Sequence, residues 1–310
     1  MSTAAPRITL RQLQIFAAVA RRGSTAAAAA DVALSQSATS SAINGLERVL
    51  ALRLFDRAGK RLLLNDNGRT LLPRALSVLD GAVAFEAAAH AGTEQVQALR
   101  IGASTTIGNY VLPALLGRFL DGDQERLAGW RSTVAIGNTA TICEAVAAFE
   151  LDVGLIEGPC HESVLVATPW IQDELVIVAA RRSELARATG GSPASTASLK
   201  ALKSAVWLVR ESGSGTREAT DLALLPHLHF FARLIELAST EAIKHAAAEG
   251  LGVTCLSRWA VADWLEAGRL VEIRTRLPRL RRQCFIVTHR DKQSTAALAA
   301  FLGQAMVLGP

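Results

Sequence analysis

Cysteine is scarce in this sequence, and its four copies lie far apart. They are Cys143, Cys160, Cys255 and Cys284. No two of them form a Cys-x-x-Cys pair, which excludes zinc fingers and the common thioredoxin-like redox motif. The spacing instead favours free thiols buried inside the folded protein.

Long apolar runs are also missing. No segment approaches the roughly 18 consecutive uncharged apolar residues that a membrane-spanning helix needs, and the alanine run 26–30 is far too short. The first ten residues hold no apolar signal-peptide core, and Arg11, Arg21 and Arg22 interrupt those that follow. We therefore expect a cytoplasmic protein that makes no membrane contact.

The motifs of the common enzyme classes are absent as well. There is no glycine-rich phosphate loop ending in lysine, and no third ligand accompanies His227 and His229. Next to Gly213-Ser214-Gly215, Ser212 stands where a Gly-x-Ser-x-Gly nucleophile elbow needs its first glycine. The sequence thus predicts no enzyme, no metal site and no cofactor.

The positive charge is concentrated at one end of the chain. Residues 1–66 hold nine Lys or Arg and four Asp or Glu, an excess of five that equals the net charge of +5 of all 310 residues. Half of the chain is hydrophobic and 20% is charged, which allows two well-packed domains and excludes wholesale disorder. A small basic domain joined to a neutral body suits polyanion binding, although a merely solvated basic face would give the same count.

Three helices are predicted in the basic segment. One begins near Leu10 and ends near Gly23, a second reaches Val32, and a third follows the cap Ser35 as far as Leu50. Small polar side chains on an exposed helix face are unusual, and they suit close contact with the base edges of a DNA major groove. The predicted apolar face of the third helix comprises Ala38, Ala42, Ile43, Leu46 and Val49, and its polar face comprises Gln36, Ser37, Ser40, Ser41, Asn44 and Glu47.

Residues 52–64 predict two short strands around Gly59, in the manner of a wing. The segment is rich in flexible cations, which suit DNA phosphates and position a protein without reading sequence. An exposed hairpin with no DNA role is the alternative. The cations are Arg53, Arg57, Lys60 and Arg61.

Residues 67–93 predict one long helix that is capped by Asn65 or Asn67. Its apolar positions include Leu72, Leu79 and Phe85 at near-helical spacing. We expect this stripe to pair with the same helix of a second subunit, and packing onto its own domain is the alternative.

From residue 96 to residue 310, short apolar runs alternate with helical patterns. The predicted strands include Leu175–Ala180 and Leu228–Leu237. Such alternation is typical of a mostly parallel sheet with helices on both faces, which is an α/β fold.

We expect this region to form two subdomains with a cleft between them. The first would comprise about 96–169 and 273–310, and the second about 170–272. Pro169-Trp170 and the stretch near Val271–Arg274 are the candidate crossings between the halves.

Hydroxyl and amide side chains cluster where the predicted strands give way to helices. Helix N-termini bind anions through unpaired N–H groups and a partial positive charge. Three such ends at one cleft would form an oxyanion site, whereas each alone can be an ordinary helix cap. Glu157, at a strand end, would either reject a large anion or accept a hydrogen bond from it. The candidate effector-binding residues are Ser104, Thr105, Thr106, Asn138, Thr139, Glu157, Ser212, Ser214, Thr216 and Arg217.

The order and spacing of several motifs resemble a single family. The motifs are Gly-Ser-Thr-Ala-Ala-Ala at 23–28, Leu-Ser-Gln-Ser-Ala at 34–38, Ile-Asn-Gly-Leu-Glu at 43–47, Leu-Phe-Asp-Arg at 54–57 and Leu-Asn-Asp-Asn-Gly at 64–68. Residues 13–64 therefore resemble the winged helix-turn-helix of LysR-type transcriptional regulators. The rest of the chain is similar in length to the family's linker helix and effector-binding region.

This resemblance implies an N-terminal all-α winged helix-turn-helix at 1–66, a linker helix at 67–93 and a periplasmic-binding-protein-like effector domain at 96–310. It also implies a homo-oligomer, usually a tetramer built as a dimer of dimers, that binds promoter DNA under the control of a small molecule. RNA polymerase is a further candidate partner.

In the family, residues at the turn and at the start of the recognition helix usually contact DNA. Many relatives carry Arg where Ser41 stands, and some carry Pro where Ser37 stands. Without that Arg, the strongest guanine contact is absent, so base reading would depend on Gln36, Asn44 and DNA shape. The matching residues here are Ser35, Gln36, Ser37, Ser40, Ser41 and Asn44.

Part of the effector region is similar to a narrower branch, which contains regulators of carbon fixation and of sulfur or sulfite metabolism. The similar stretches are 102–110, 137–139, 154–159 and 173–176. Together with the hydroxyl-bearing helix starts, this likeness favours a small oxyanion such as sulfite or sulfate as the effector. A regulator that senses an organic acid or a phosphorylated metabolite, and a solute-binding or transport module, stay open as alternatives.

Overall fold

A computed structural model describes residues 6–59, 61–89, 98–121, 131–190 and 195–307. The chain divides into two compact units, one formed by 1–93 with 291–295 and the other by 94–290 with 296–310. Within the described ranges, no helix combines the length and the apolar character that crossing a membrane requires.

The first unit is a helical domain with one small hairpin. Its core packs Phe16 edge-on against Phe55, with ring centroids 5.6 Å apart, and it buries Val19 and Leu46 around them. Gly23 ends the first helix with a φ of +64°, a left-handed conformation that favours glycine. The elements are α1 Leu10–Arg22, α2 Thr25–Asp31, α3 Gln36–Leu50, β1 Phe55–Ala58, β2 Arg61–Leu64 and α4 Asp66–Ala89.

Helix α4 divides its apolar side chains between two environments. Ala75 is buried in the core of the first unit, and Leu72 and Leu79 pack against that core. Val83 and Phe85, further along the helix, are 65% and 76% exposed. Packing onto its own domain therefore accounts for the first half of the apolar stripe but not for the second.

The second unit is built around one mixed sheet. Its elements, in chain order, are β3 Ala98–Ser104, α5 Thr105–Tyr110, α6 Leu112–Asp121, β4 Arg131–Gly137, α7 Thr139–Ala147, β5 Val153–Glu157, β6 Leu165–Ala180, α8 Glu184–Gly190, α9 Leu199–Ser204, β7 Val206–Val209, α10 Gly215–Leu228, β8 Arg233–Glu236, α11 Thr240–Ala248, β9 Val253–Ser257, α12 Arg258–Glu266, β10 Leu270–Glu272, β11 Leu280–His289 and α13 Ala296–Val307. The strand order is β4-β3-β5-β11-β6-β9-β7-β8, and β10 also pairs with β6.

Two long strands run through both halves of this sheet. Strands β6 and β11 are antiparallel to each other, whereas β3 pairs in parallel with β4 and β5, and β7 pairs in parallel with β8 and β9. The register of β11 shifts between Gln283 and Phe285, where it passes from one half to the other. The second crossing is therefore in β11 and not near 271–274, because β10 (270–272) pairs with Val178–Ala180 in the second half.

The predicted strand at Leu228–Leu237 is wrong over most of its length. Helix α10 continues to Leu228, and β8 occupies only Arg233–Glu236. Leu224 and Leu228, four residues apart, are both buried in the core of this half, which is the spacing of a helix and not of a strand. The sheet places three helix starts, at α5, α7 and α10, close to the end of β5.

Candidate functional site

The polar face predicted for the third helix is present on α3. Ser35 caps the helix, since its Oγ accepts a hydrogen bond from the Ala38 N–H at 3.1 Å. The Thr39 hydroxyl donates back to the Ser35 carbonyl at 3.0 Å and is fully buried. The exposed residues on the outer face of α3 include Gln36, Ser37, Ser41 and Asn44, and Ser40 is half-buried.

Two residues of α3 lie on the opposite face from the one predicted. Ala38, expected in the core, is exposed. Glu47, expected on the polar face, is only 8% exposed because its carboxylate accepts the Leu54 N–H at 2.8 Å and lies 3.2 Å from an Arg53 guanidinium nitrogen. Glu47 thus joins α3 to the start of the hairpin and leaves the exposed face free of negative charge at that turn.

The hairpin carries cations beside the end of α3. Strands β1 and β2 pair in antiparallel register from Phe55↔Leu64 to Ala58↔Arg61. Arg53, Arg57 and Arg61 are exposed, and the predicted Lys60 lies outside the described residues. Arg48 was missed as a site residue, although it is exposed one helical turn after Asn44. A shallow groove is lined by Asn44, Glu47, Arg48, Ala51, Leu52, Arg53 and Arg57.

In the second unit, Glu157 occupies the anion position predicted at the helix starts. Its carboxylate is 2% exposed and accepts hydrogen bonds from the Ser104 hydroxyl at 2.9 Å and from the Thr106 and Ile107 N–H groups at 2.7 and 3.2 Å. Its second oxygen accepts from the Thr216 hydroxyl at 2.9 Å. The N-terminus of α5 therefore binds an anion, and that anion is supplied by the chain itself.

A buried arginine completes this arrangement, which we term the Glu157 cluster (Glu157, Arg282 and Asp173). The Arg282 guanidinium lies 2.8 Å from a Glu157 oxygen and 2.6 Å from an Asp173 oxygen. Asp173 also accepts the Ser257 hydroxyl at 2.8 Å. No sequence pattern predicted Arg282 as a site residue, since it lies in β11, 125 residues from Glu157 along the chain.

The pKa values of the two carboxyl groups around Arg282 shift in opposite directions. Burial raises the pKa of Glu157, but the Arg282 charge and hydrogen bonds from Ser104, Thr216 and Thr106 outweigh it, so the pKa lies below its ordinary value. Burial also raises the pKa of Asp173, and there Arg282 does not compensate, so that pKa stays above its ordinary value. Arg282 thus lies between one carboxyl group whose pKa is lowered and one whose pKa is raised.

The polar residues at the starts of α7 and α10 form hydrogen bonds mainly with each other and with backbone groups. The Thr139 hydroxyl donates to the Glu157 carbonyl at 3.0 Å and accepts the Gly215 N–H at 3.2 Å. A Cβ atom at Gly215 would lie 1.8 Å from the Glu157 carbonyl oxygen, so only glycine fits there. Asn138 and Ser214 cap their helices through the N–H groups of Thr141 and Arg217.

A second buried cation lies at the end of β7, in what we term the Arg210 cluster (Arg210, Glu211, Thr105, Thr240 and Asn138). Arg210 is 3% exposed and holds both Glu211 carboxylate oxygens, at 2.7 and 2.9 Å. Its other contacts are the hydroxyls of Thr240 at 2.9 Å and Thr105 at 3.4 Å. Asn138 donates to Glu211 at 3.2 Å.

The predicted effector residues therefore separate into groups. Thr105 and Asn138 belong to the Arg210 cluster, whose Arg210 and Thr240 were not predicted. Ser212 is exposed, and the Arg217 guanidinium is bound to Asp221 at 2.7 Å and to the Arg210 carbonyl at 3.1 Å. The predicted effector residues that contact Glu157 are Ser104, Thr106, Thr139 and Thr216.

Two family models match the chain. Residues 10–69 match the bacterial regulatory helix-turn-helix protein of the lysR family, and residues 92–306 match the LysR substrate binding domain. The second match alone covers more than half of the chain. These families are transcriptional regulators and not enzymes, which confirms the prediction from the missing catalytic motifs.

Relatives and solved structures agree with this assignment. YeiE of Escherichia coli strain K12, an uncharacterised HTH-type transcriptional regulator, is 46% identical over 295 residues, which cover 95% of this chain and 96% of that protein. A RuBisCO operon transcriptional regulator of Acidithiobacillus ferrooxidans is 31% identical and covers 95% of this chain and 92% of its own. The regulatory domain of Synechocystis PCC6803 CcmR, solved in complex with 2-PG, is 28% identical with a TM-score of 0.59 and covers 68% of this chain and 97% of that one.

The predicted fold class and the likeness to the carbon-fixation branch are thereby confirmed. A helix-turn-helix and a ligand-binding region lie in one chain, which favours a regulator over a transport module. The protein is a member of the LysR family, a DNA-binding transcriptional regulator with an effector-binding domain.

Proposed function

We propose that a small oxyanion, held at the Arg210 cluster, modulates promoter binding by this regulator. The observation that carries the proposal is a buried guanidinium, 3% exposed, whose carboxylate partner Glu211 is 20% exposed. Two hydroxyls, from Thr105 and Thr240, lie within hydrogen-bonding distance of the same guanidinium. An arginine fork with flanking hydroxyls suits a sulfite-, sulfate- or phosphate-like group.

The Glu157 cluster supports the same choice by exclusion. Its single cation already lies between two carboxylates, so a further anion there would meet net negative charge in a buried setting. At the Arg210 cluster an incoming oxyanion competes with one partly exposed carboxylate. The energetic balance therefore favours Arg210 over the amide groups of α5.

A sulfite- or sulfate-sized ligand is our first candidate, and a phosphorylated metabolite is the second. The second is favoured by CcmR, whose regulatory domain was solved with 2-PG. Both ligand classes place an oxyanion on Arg210, and they differ in what else they contact. A panel that contains both classes separates them.

The test is a thermal-shift series on the full chain with sulfite, sulfate, phosphate and 2-PG. A ligand of the native state raises the melting temperature by mass action. We expect one class to stabilise the wild type, with affinity reduced about tenfold in Arg210→Lys, because a lysine cannot bind an oxyanion as a fork. Arg258→Lys, which changes a partly exposed arginine paired with Glu174 and Glu272, is the matched control. Equal responses in both variants, or no response to any oxyanion, contradict the proposal.

For DNA, we propose that α3 reads bases and that the hairpin binds phosphates. Gln36→Ala or Asn44→Ala should weaken binding to a specific promoter site about tenfold, and Arg57→Ala should reduce the salt dependence. Gln304→Ala in α13 is the control. An unchanged affinity and footprint for the α3 variants would reject this recognition face. The proposed base-reading residues are Ser35, Gln36, Ser37, Ser40, Ser41 and Asn44, and the proposed phosphate contacts are Arg48, Arg53, Arg57, Lys60 and Arg61.

We further propose that α4 joins two copies of the chain, with a dimer of dimers as the complete form. Val78 and Phe85 are 50% and 76% exposed and, seven residues apart, lie on the same face of this helix, so a second α4 would cover both. A Val78→Glu, Phe85→Glu double variant should form a smaller oligomer, which light scattering would detect as a lower molar mass. Leu222→Glu, at a 67% exposed leucine of α10, is the control. An unchanged mass for the double variant would contradict this interface.

A further inference from the structure

Two of the four cysteines, far apart in sequence, are in contact in the fold. The Cys143 and Cys160 sulfur atoms are 3.7 Å apart. Cys143 lies in α7, and Cys160 lies in the loop that follows β5. All four cysteines are free thiols in this structure.

The two thiols differ in access to solvent. Cys143 is buried in an apolar cluster with Ile142 and Val146, whereas Cys160 packs at its edge and is half-buried. Burial, and then the neighbouring Cys160, raise the pKa of Cys143, which keeps that sulfur protonated. Cys160 is therefore the sulfur that a small oxidant reaches first, and Cys143 is the neighbour that can resolve the product.

From this contact we propose that Cys143 and Cys160 form a reversible disulfide when the protein meets a hydroperoxide. The sulfur atoms need to approach by about 1.6 Å to reach bonding distance, since a disulfide bond is close to 2.05 Å long. Side-chain rotation with a small adjustment of the loop supplies such a movement. The site is independent of the effector proposal, because neither sulfur belongs to the Arg210 cluster.

The chemistry balances with one hydroperoxide per pair. The Cys160 thiolate attacks the terminal peroxide oxygen, the O–O bond breaks, and the leaving alkoxide takes up the thiol proton, which gives a sulfenic acid and an alcohol. The Cys143 sulfur then attacks the sulfenic sulfur and expels water, and the Cys143 proton leaves with the hydroxide. Two thiols and one hydroperoxide thus give one disulfide, one alcohol and one water. A dithiol reductant reverses the step.

The resulting bond would join α7 to the loop after β5. Helix α7 begins at Thr139 and the loop begins directly after Glu157, and the Thr139 hydroxyl donates to the Glu157 carbonyl at 3.0 Å. Oxidation therefore ties together two parts of the structure that adjoin the Glu157 cluster.

The other two cysteines provide an internal comparison. Cys255 and Cys284 are buried in separate apolar clusters, one in each half of the sheet. Burial is the main cause that raises the pKa of each, to about 12. Both should stay reduced at an oxidant dose that converts the pair.

The experiment treats the reduced, full-length protein with hydrogen peroxide, alkylates it after denaturation and identifies its peptides by mass spectrometry. We expect two thiols to disappear at least tenfold faster than Cys255 or Cys284, with a linked peptide pair that carries Cys143 and Cys160 and returns to thiols in dithiothreitol. Cys160→Ser should abolish the loss of both thiols, and Cys255→Ala should leave it unchanged.

Cys143→Ala gives a separate readout, because Cys160 then lacks a resolving thiol and should proceed to sulfinic acid. The measurement on the wild type does not depend on whether any variant folds. Oxidation of the pair at the same rate as Cys255, or a link that involves any other cysteine, would overturn the proposal.

Discussion

The second unit holds two buried arginines, Arg282 and Arg210, whose surroundings differ in one respect. Each is 5% exposed or less and lies near the start of a helix. Arg282 is shared by two carboxylates that are themselves buried, whereas Arg210 pairs with one carboxylate that water partly reaches. The first arrangement is closed, and the second can exchange its partner. Burial of a cation is thus not enough to define a binding site, because the state of its counter-charge decides whether a ligand can enter.

The largest expected effect comes from removing the cation of the closed cluster. Arg282→Met should reduce the free energy of unfolding by about 3–5 kcal/mol, because Glu157 and Asp173 are then buried beside each other without a counter-charge. Urea denaturation of the full chain measures the loss. Arg258→Met, at a partly exposed arginine, should lose less than about 1 kcal/mol. If the two variants lose equal stability, the contrast between closed and exposed pairs does not hold.

Removing the negative charge of Glu157 should reduce the free energy of unfolding less than removing Arg282. Glu157→Gln keeps the shape but leaves Arg282 with Asp173 alone and weakens the bonds from Ser104 and Thr216. We expect a loss of about 1–3 kcal/mol in the free energy of unfolding, again by urea denaturation. A neutral result would mean that the charge on Glu157 does not contribute to stability.

Acid titration should separate the two carboxyl groups of the closed cluster. A pKa lowered in the folded state adds stability that is lost as pH falls through the folded value, and a raised pKa adds stability that is lost as pH rises. Glu157 is of the first kind and Asp173 of the second. Below the ordinary glutamate pKa of about 4.3, Glu157→Gln should therefore lose less stability than the wild type. Asp173→Asn should lose more, and it should do so as pH falls toward the ordinary aspartate pKa of about 3.9 from above. Unfolding curves measured between pH 7 and pH 3.5 give the dependence of the free energy of unfolding on pH. The same pH dependence in the wild type and both variants would contradict the opposite pKa shifts of Glu157 and Asp173.

The smallest change in stability is expected at the open cluster. Glu211→Gln should reduce the free energy of unfolding by about 1 kcal/mol, since the amide oxygen keeps one hydrogen bond from the buried Arg210 and water reaches this partly exposed position. The same variant should bind the effective oxyanion several-fold more tightly, because it removes the carboxylate that competes for Arg210. Calorimetric titration measures this affinity. A loss of stability as large as that of Glu157→Gln would remove the distinction between the clusters.

Local patterns in the sequence were enough to predict the helices of the first unit and the polar face of α3. Helix caps such as Ser35 and the repeat of apolar residues depend on residues only a few positions apart, so they are visible in the sequence itself. Glu47 was placed on the wrong face because it is held inward by Leu54 and Arg53, which belong to the next segment. A helical repeat contains no information about such a partner.

The effector region shows the same limit more clearly. The pattern of hydroxyl-bearing helix starts predicted a bound oxyanion at α5, whereas the structure has the Glu157 carboxylate there. No local pattern reveals that Glu157 fills this position or that Arg282 supports it, because these residues meet only after β5, β6 and β11 have paired. Such contacts depend on the pairing of strands that are distant along the chain. Local patterns in a single sequence do not show which strands will pair.

The attachment of Glu157 to its own chain has a further consequence. A tethered carboxylate has a local concentration that a freely diffusing solute seldom reaches. The amide groups of α5 are therefore insulated from the sulfate, phosphate and carboxylates dissolved around the protein. This insulation keeps the anion-binding position at the start of α5 occupied, so changes in the general ionic composition of the surroundings do not become signals there.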